Sequence, residues 1–307
     1  MIIRSPYSSP KSKDPFAKLA IAKPAIRNIL NNYLKRNTRG SWRLEGGTII
    51  QAHLSKIHKD KIRAILILDN GDLQDGFFNI KREFLGFGKV LESNGDGNQY
   101  EGQLSHFARN GIGTMRYKNG DVYEGEWKEN DRQGYGEYYI RDRLVYKGQW
   151  NYGFYHGYGV YYWNNGRHYE GAWCLGFRMG HGTLYEANGD KYEGAWQDGE
   201  MNGPGKYVYA NGDELEGVFV NNQLHGEAIY RWTNGGKFLG TWNHGENVGP
   251  GDLVFPNGDK YQGFFIDWKI VGPGIYTFQN GDVVKGVIHK LFQNKKVKEK
   301  LLPFLGD

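Results

Sequence analysis

One five-residue block, aromatic-x-Gly-x-aromatic, returns every 23 residues through most of this 307-residue chain. It reads Tyr123-Glu124-Gly125-Glu126-Trp127, Tyr146-Lys147-Gly148-Gln149-Trp150, Tyr169-Glu170-Gly171-Ala172-Trp173 and Tyr192-Glu193-Gly194-Ala195-Trp196, then continues more loosely to Val284–Ile288. Its central glycines fall at 102, 125, 148, 171, 194, 217, 240, 263 and 286. Two further landmarks keep the same register. Gly-x-Gly opens at 111, 134, 157, 180, 203, 249 and 272, with Gly226-Glu227-Ala228 as the lapse, and Asn-Gly-Asp or a variant stands at 119, 165, 188, 211, 234, 257 and 280. Arg141-Asp142-Arg143 replaces that turn in one repeat. A fixed period of this length means one supersecondary unit stacked on copies of itself, not a single globular core.

The unit's chemistry predicts strands. Asn-Gly tolerates positive φ at two successive turn positions, so it is expected to close a tight two-residue hairpin. After it, Tyr123, Gly125 and Trp127 alternate with Glu124 and Glu126, one set to each face. Before the next turn, Gly157, Gly159, Tyr161 and Trp163 share one face and Tyr158, Val160 and Tyr162 the other. Glycine between two aromatics leaves room for a ring from the neighbouring strand. The composition agrees: 46 glycines and 15% aromatic residues, at a mean hydropathy of −0.69, suit many turns joining aromatic strands. A looser unit spans Asn70-Gly71-Asp72, Gly76 and Gly86-Phe87-Gly88, so about ten units occupy residues 70–288.

These landmarks resemble the MORN repeat (membrane occupation and recognition nexus), a Tyr-Glu-Gly-x-Trp strand followed by a Gly-x-Gly strand every 23 residues. The resemblance implies an all-β fold: an elongated, single-layer antiparallel β-meander of about ten hairpins with a grooved face. It also implies a non-enzymatic structural scaffold that binds protein partners. Free-standing arrays with short tails resemble cytoskeletal and ciliary components, which points to a cytoskeletal or axonemal assembly with tubulin or radial-spoke components as candidate partners.

The expected organisation is a disordered basic arm (1–16), an N-terminal helix (17–40), an irregular β lead-in (41–69), the array (70–288) and a basic C-terminal helix or tail (289–307). Residues 1–40 carry nine Lys/Arg, among them Lys11, Lys13, Lys18, Lys23, Arg27, Lys35, Arg36 and Arg39, against Asp14 alone. Residues 289–307 carry five lysines against Glu299 and Asp307, so within a net +5 the stretch 41–288 is acidic, at −6. The terminal helices read as caps for open sheet edges. Alternatively, the basic arm docks on an acidic surface such as a tubulin lattice or anionic lipid; a membrane-apposed adaptor is therefore the second functional reading. With one cysteine, Cys174, no disulfide forms within the chain. No run of eighteen apolar residues and no apolar leader is present, which places the chain in the cytoplasm by default.

Catalysis needs a nucleophile, base and orienter at unrelated positions, or clustered metal ligands. His156, His181, His225 and His244 flank turns in some repeats without a matching acid or cysteine, and read as polar turn residues. The carboxylates Glu124, Glu170, Glu193 and Glu216 are interrupted by Lys147, Leu239 and Gln262, and read as a solvated face. Each Gly-x-Gly feeds a strand, so no phosphate-cradling loop opens a helix. An acidic array lacks the basic, aromatic face of a nucleic-acid binder. No cofactor, metal or catalytic residue is expected. What stands out is a tyrosine ladder on the face opposite the glycines: Tyr135, Tyr139, Tyr158, Val160, Tyr162 and Tyr185. It either completes strand packing or forms a partner groove, since tyrosine offers contact area at small entropic cost.

Overall fold

The structure, a computed structural model, describes residues 97–105 and 108–304, plus the backbone of five earlier strands. The chain divides after Leu144 into two compact units. In the first, β1 (Gly40–Arg43), β2 (Ile49–Ala52), β3 (Lys61–Ile67), β4 (Leu73–Asn79), β5 (Leu85–Leu91), β6 (Gln99–Ser105), β7 (Ala108–Arg116), β8 (Val122–Lys128) and β9 (Asp131–Ile140) each pair antiparallel with the next. The second begins within β10 (Arg143–Asn151). It continues through β11 (Phe154–Tyr162), β12 (His168–Cys174), β13 (Phe177–Tyr185), β14 (Lys191–Gln197), β15 (Glu200–Val208) and β16 (Glu214–Val220). β17 (Gln223–Arg231), β18 (Lys237–Asn243), β19 (Glu246–Val254), β20 (Lys260–Ile266), β21 (Lys269–Thr277) and β22 (Val283–Val287) complete the same sequential pairing. The expected all-β, single-layer antiparallel meander is what forms.

The core lies on one face of that layer. Tyr100, Tyr123, Tyr146, Tyr169, Tyr192 and Tyr261 are at most 1% exposed, whereas the intervening Glu124, Glu126 and Glu193 face solvent. Each ring lies over a cross-strand glycine pair such as Gly125↔Gly136 or Gly194↔Gly205. A methyl on Gly136 would sit 2.4 Å from the Tyr123 hydroxyl oxygen, so these positions need glycine for space, not for backbone freedom. The Tyr123 hydroxyl donates to Glu126 O at 2.9 Å, and the Trp127 indole N–H donates to Gly113 O at 3.0 Å. The two rings meet edge to face at 5.0 Å, a contact worth about 0.5–1.5 kcal/mol beyond burial.

The turns correct the sequence expectation. At Asn119-Gly120 only the glycine has positive φ, 89°. Gly120 N–H donates to Tyr117 O, and Tyr117 N–H to Asp121 O, which is a three-residue type I loop with a glycine bulge. Tight two-residue turns lie at the opposite ends of the strands, as at Leu175-Gly176 (φ 48° and 88°) and Asn221-Asn222 (49° and 68°), and one stands at the Asn-Gly end, Arg141-Asp142 (48° and 65°). Asn-Gly suits both turn types, and the missing turn at 141–143 is a tight turn in its place.

At the Asn-Gly end the repeats are laced together. Asp213 accepts from Asn211 at 2.9 Å, from the Tyr230 hydroxyl at 3.0 Å and from Thr233 N–H at 2.9 Å. Asp259 does the same with Asn257, Tyr276 and Gln279, and Asp190 with Asn188, Tyr207 and Ala210. Asp121 bonds Tyr138 at 2.6 Å. Where the turn residue is Arg167 or Gly236, the residue seventeen on is Leu184 or Leu253; the exception is Leu144, in the repeat with the tight turn, which is followed by Tyr161.

Two short helices follow the sheet, α1 (Ile288–Leu291) and α2 (Lys295–Leu301). Asn294 caps α2 by accepting from Lys296 and Val297 N–H. Leu291, Val297 and Leu301 are fully buried, and Phe304 and Lys300 lie against Phe255 of the aromatic face. This segment therefore covers the glycine-aromatic face, not only an edge.

Candidate functional site

With the aromatic face filled by its own rings, the opposite face is the one left open. Its side chains stand in rows across the strands, set by the pairings. In the second unit one row runs Tyr162↔His168↔Tyr185↔Lys191↔Val208↔Glu214↔Arg231, and a parallel one runs Lys147↔Val160↔Glu170↔Thr183↔Glu193↔Lys206↔Glu216. The rows change character along the unit.

Over β11–β13 the face is aromatic. His168 stacks between Tyr162 (5.8 Å, 25°) and Tyr185 (4.4 Å, 10°). Lys147 and Lys191 lie over the two outer rings, at 5.9 and 5.8 Å from their centroids. Tyr158, 56% exposed, donates its hydroxyl to Glu170 at 2.6 Å, which with partial desolvation pushes its pKa up to about 12. Val160 fills the floor between them, paired with Lys147 and Glu170. The structure thus brings Tyr158, Val160, Tyr162 and Tyr185 of the sequence-predicted ladder into one surface. Tyr135 and Tyr139 lie on the same face of the first unit. Tyr135 is 53% exposed, and the Tyr139 hydroxyl donates to Glu137, which raises its pKa to about 12. The basic arm, Lys11 to Arg39, falls outside the described residues. His168 was missed by sequence reading; its signal was a ring directly before the Tyr169 block.

Over β14–β17 the face carries a self-neutralising charge ladder, Lys191–Glu193 at 2.9 Å, Lys206–Glu214 at 2.7 Å and Arg231–Glu216 at 2.9 Å, with Val218 and Val220 exposed beside it toward the tight turns. Over β18–β22 it turns apolar, with Leu239, Phe264, Ile266 and Val287 all between 39% and 46% exposed. Sequence reading missed this region because each residue alternates with a buried one and reads as ordinary strand.

A backbone detail governs which residues this face accepts. Each Gly-x-Gly strand bulges there, so the N–H of x leaves the ladder. In three repeats a side chain on the neighbouring strand satisfies it: Gln103 bonds Ile112 N–H at 3.0 Å, Glu126 bonds Tyr135 N–H at 2.8 Å and Gln149 bonds Tyr158 N–H at 3.1 Å. Opposite His181 and Glu227 stand Ala172 and Val218, which carry no side-chain acceptor. Where x is Pro204, Pro250 or Pro273 there is no N–H, and the neighbouring residue is Ala195, Thr241 or Phe264.

Among the described residues no group of three His, Cys, Asp or Glu is placed to hold a metal ion, and no helix is long and apolar enough to cross a membrane.

The MORN-repeat family model matches eight consecutive units, residues 100–122, 123–144, 146–166, 169–191, 192–214, 216–237, 238–260 and 261–283. No curated protein matches the chain. Among solved structures, the SAS-4 (dCPAP) TCP domain of Drosophila melanogaster, in complex with a proline-rich motif of Ana2 (dSTIL), is 18% identical. That match covers 52% of this chain and 89% of that one, at a TM-score of 0.33. The TCP10 domain of Danio rerio CPAP is 9% identical over 81% and 95% of the two chains, TM-score 0.21. A streptogramin B lyase is 10% identical over 81% and 82%, TM-score 0.16. At such TM-scores none of them bears on function here.

Proposed function

Because this chain belongs to the MORN-repeat family, we propose that it is a non-enzymatic scaffold that binds a protein partner on the open face of β11–β13. The observation that carries this reading is the ordered stack Tyr162–His168–Tyr185 standing on the solvent side of a sheet whose other face is already packed. Stacked and lysine-flanked rings are held in place before a partner arrives, so little side-chain entropy is lost on binding. A place in a cytoskeletal or axonemal assembly follows the resemblance to free-standing arrays of this kind.

The test is proximity labelling in cells with the wild-type chain and the triple variant Tyr158→Ala/Tyr162→Ala/Tyr185→Ala. The expected result is loss of specific neighbours with the β circular-dichroism signal unchanged. An unchanged set of neighbours refutes the docking role, and loss of the sheet signal assigns these tyrosines to packing instead. A second reading, an adaptor on anionic phospholipid, is favoured by Lys290, Lys295, Lys296, Lys298 and Lys300, all exposed at the C-terminal end. It requires salt-sensitive co-sedimentation with anionic vesicles that falls when residues 1–40 or these lysines are removed.

A further inference from the structure

We propose that the open face of β18–β22 is a second protein-docking surface, fitted to a partner segment that carries large apolar side chains together with carboxylates. It stands apart from the tyrosine ladder and does not depend on that reading.

The apolar character is built by register. Pro250 pairs with Phe264, Phe264 with Val271 across the bulge, and Pro273 with Val287, so apolar residues follow one another from β19 to β22. Ile266 extends the surface toward the tight turns and Leu239 toward β18. Phe264 is 44% exposed, and Leu239 and Ile266 are each 46% exposed. These side chains are not needed to complete the core, because Phe238, Phe265 and Tyr276 already fill the other face at 1% exposure or less. In β14–β17 the position of Leu239 carries Glu193 and Glu216, while those of Phe264 and Ile266 carry Ala195 and Gln197 in one repeat and Val218 and Val220 in the next. Pro273 carries no bulge N–H of the kind that Gln103, Glu126 and Gln149 satisfy in other repeats, so phenylalanine at 264 orphans no backbone donor.

Charge then selects the partner. Lys237, Lys260 and Lys285 stand exposed on the same face, and among the described residues none of the three is in a salt bridge. Two carboxylates share this part of the face: Asp252 accepts from Gln262 at 3.0 Å, and Glu246 stands opposite Asn243 at the tight-turn end. In β14–β17, by contrast, the lysines and arginine are neutralised within the sheet. A large exposed apolar patch marks an interaction site, and three uncompensated cations around it favour an acidic occupant. Five strands at ~4.8 Å span on the order of 20 Å, the length of an α-helix of about 13 residues.

The test is selection of a phage-displayed library of 16-residue peptides on the full chain. Apolar peptides rich in Asp and Glu are expected to enrich. The best of them, made synthetically, should lose at least tenfold in affinity on Phe264→Ser/Ile266→Ser and again on Lys260→Glu/Lys285→Glu, but not on the tyrosine triple variant. Should the serine variant unfold, the charge reversal decides alone, since both lysines are exposed. Four outcomes overturn the proposal: no enrichment, enrichment without acidic bias, loss of phosphatidylserine-vesicle binding in these variants without any peptide signal, or conversion of a dimer to a monomer in light scattering, which assigns the patch to a second copy.

Discussion

The pairing of each core tyrosine with two glycines predicts a reciprocal substitution. In one repeat the ring is absent: Leu215 stands where Tyr192 stands 23 residues earlier, and Ala228 replaces the second glycine. The Ala228 methyl fills the space a ring would need, with Leu224 reaching in beside it; a methyl built on Gly217 would lie 2.6 and 2.9 Å from those two side chains. Gly205→Ala, under a tyrosine, should therefore clash. Its methyl would sit 2.4 Å from the Tyr192 hydroxyl oxygen and 2.5–2.6 Å from two ring carbons, all on a fully buried side chain. Overpacking of this kind costs about 1–3 kcal/mol. Displacing the ring also breaks its 3.1 Å bond to Ala195 O, about 1 kcal/mol more. Tyr192→Leu alone leaves a cavity, a loss on the order of 3 kcal/mol. Together the two changes rebuild the Leu215–Ala228 arrangement, with Met201 in the place of Leu224 and flexible enough to fill the gap. The double variant should thus be at least about 2 kcal/mol more stable than additivity allows. Urea unfolding followed by tryptophan fluorescence, with thermal melts as a check at about 2–4 °C per kcal/mol, measures the cycle. A neutral Gly205→Ala, or additivity within about 0.5 kcal/mol, refutes the steric account.

Removing the hydroxyl in Tyr276→Phe deprives Asp259 of a 2.7 Å bond and should cost about 1.5–3 kcal/mol by the same unfolding measurement. Asp190 is held below the usual aspartate range chiefly by the Asn188 amide; at Asp213 and Asp259 burial works the other way but is outweighed by hydrogen bonds. Their stabilisation is complete above the unfolded pKa, near 3.9, and is lost as pH falls through the lower folded values, so melting temperature should drop steeply below about pH 4 and less so in Asp213→Asn. In alkali the sign reverses: burial pushes Tyr192 and Tyr261 up to about 12, so their contribution is intact below pH ~10 and vanishes as pH rises through that value. Absorbance at 295 nm should show these phenols ionising only as the sheet unfolds. Asp142→Gly relieves a non-glycine residue at φ 65° and should stabilise by roughly 0.5–1 kcal/mol in thermal melts.

Much of the inner face was legible in the sequence because it obeys a period of two. Tyr123 and Trp127 against Glu124 and Glu126 could be assigned to faces from alternation alone, and the structure keeps that assignment. The turn type was not legible, since Asn-Gly fits a two-residue loop and a three-residue loop equally well. What decides is the pairing of Tyr117 with Asp121, a fact about register. The tight turns hid in Tyr152-Gly153 and Leu175-Gly176, where neither first residue is a usual left-handed one. The Asp–Tyr lacing was present in the sequence as a correlation at seventeen residues: Asp121, Asp190, Asp213 and Asp259 with tyrosine, Arg167 and Gly236 with leucine, and Leu144 with Tyr161 as the exception. Seeing it requires knowing that one strand pair lies between those positions. On the open face, Tyr158, Tyr162 and Tyr185 announced themselves as tyrosines at polar positions, whereas the Phe264 patch emerges only when five strands are set in register.

The two faces differ in how freely they can change. On the inner face each residue answers to another: tyrosine to its glycines, tryptophan to a carbonyl fourteen residues earlier, and aspartate to a tyrosine seventeen later. One substitution there demands a second, as Leu215 and Ala228 show. On the open face the recurring backbone demand is the bulge N–H, met by Gln149, Glu126 or Gln103, abolished by proline at 204, 250 and 273, and faced by Ala172 or Val218 at His181 and Glu227. A repeat with proline at that position releases its neighbour from being a hydrogen-bond acceptor. Pro204, Pro250 and Pro273 all lie in the second unit, and Ala195, Thr241 and Phe264 stand opposite them in place of glutamine or glutamate. Proline at x therefore acts upstream of the surface chemistry: it permits Phe264 without orphaning a backbone donor. Replacing Pro273 with alanine should leave the apolar patch in place and create an unsatisfied N–H beside Phe264. That N–H should be recovered by Phe264→Gln, so the pair is expected to restore the melting temperature that Pro273→Ala lowers; failure of Phe264→Gln to rescue it would break the link between the bulge and the docking face.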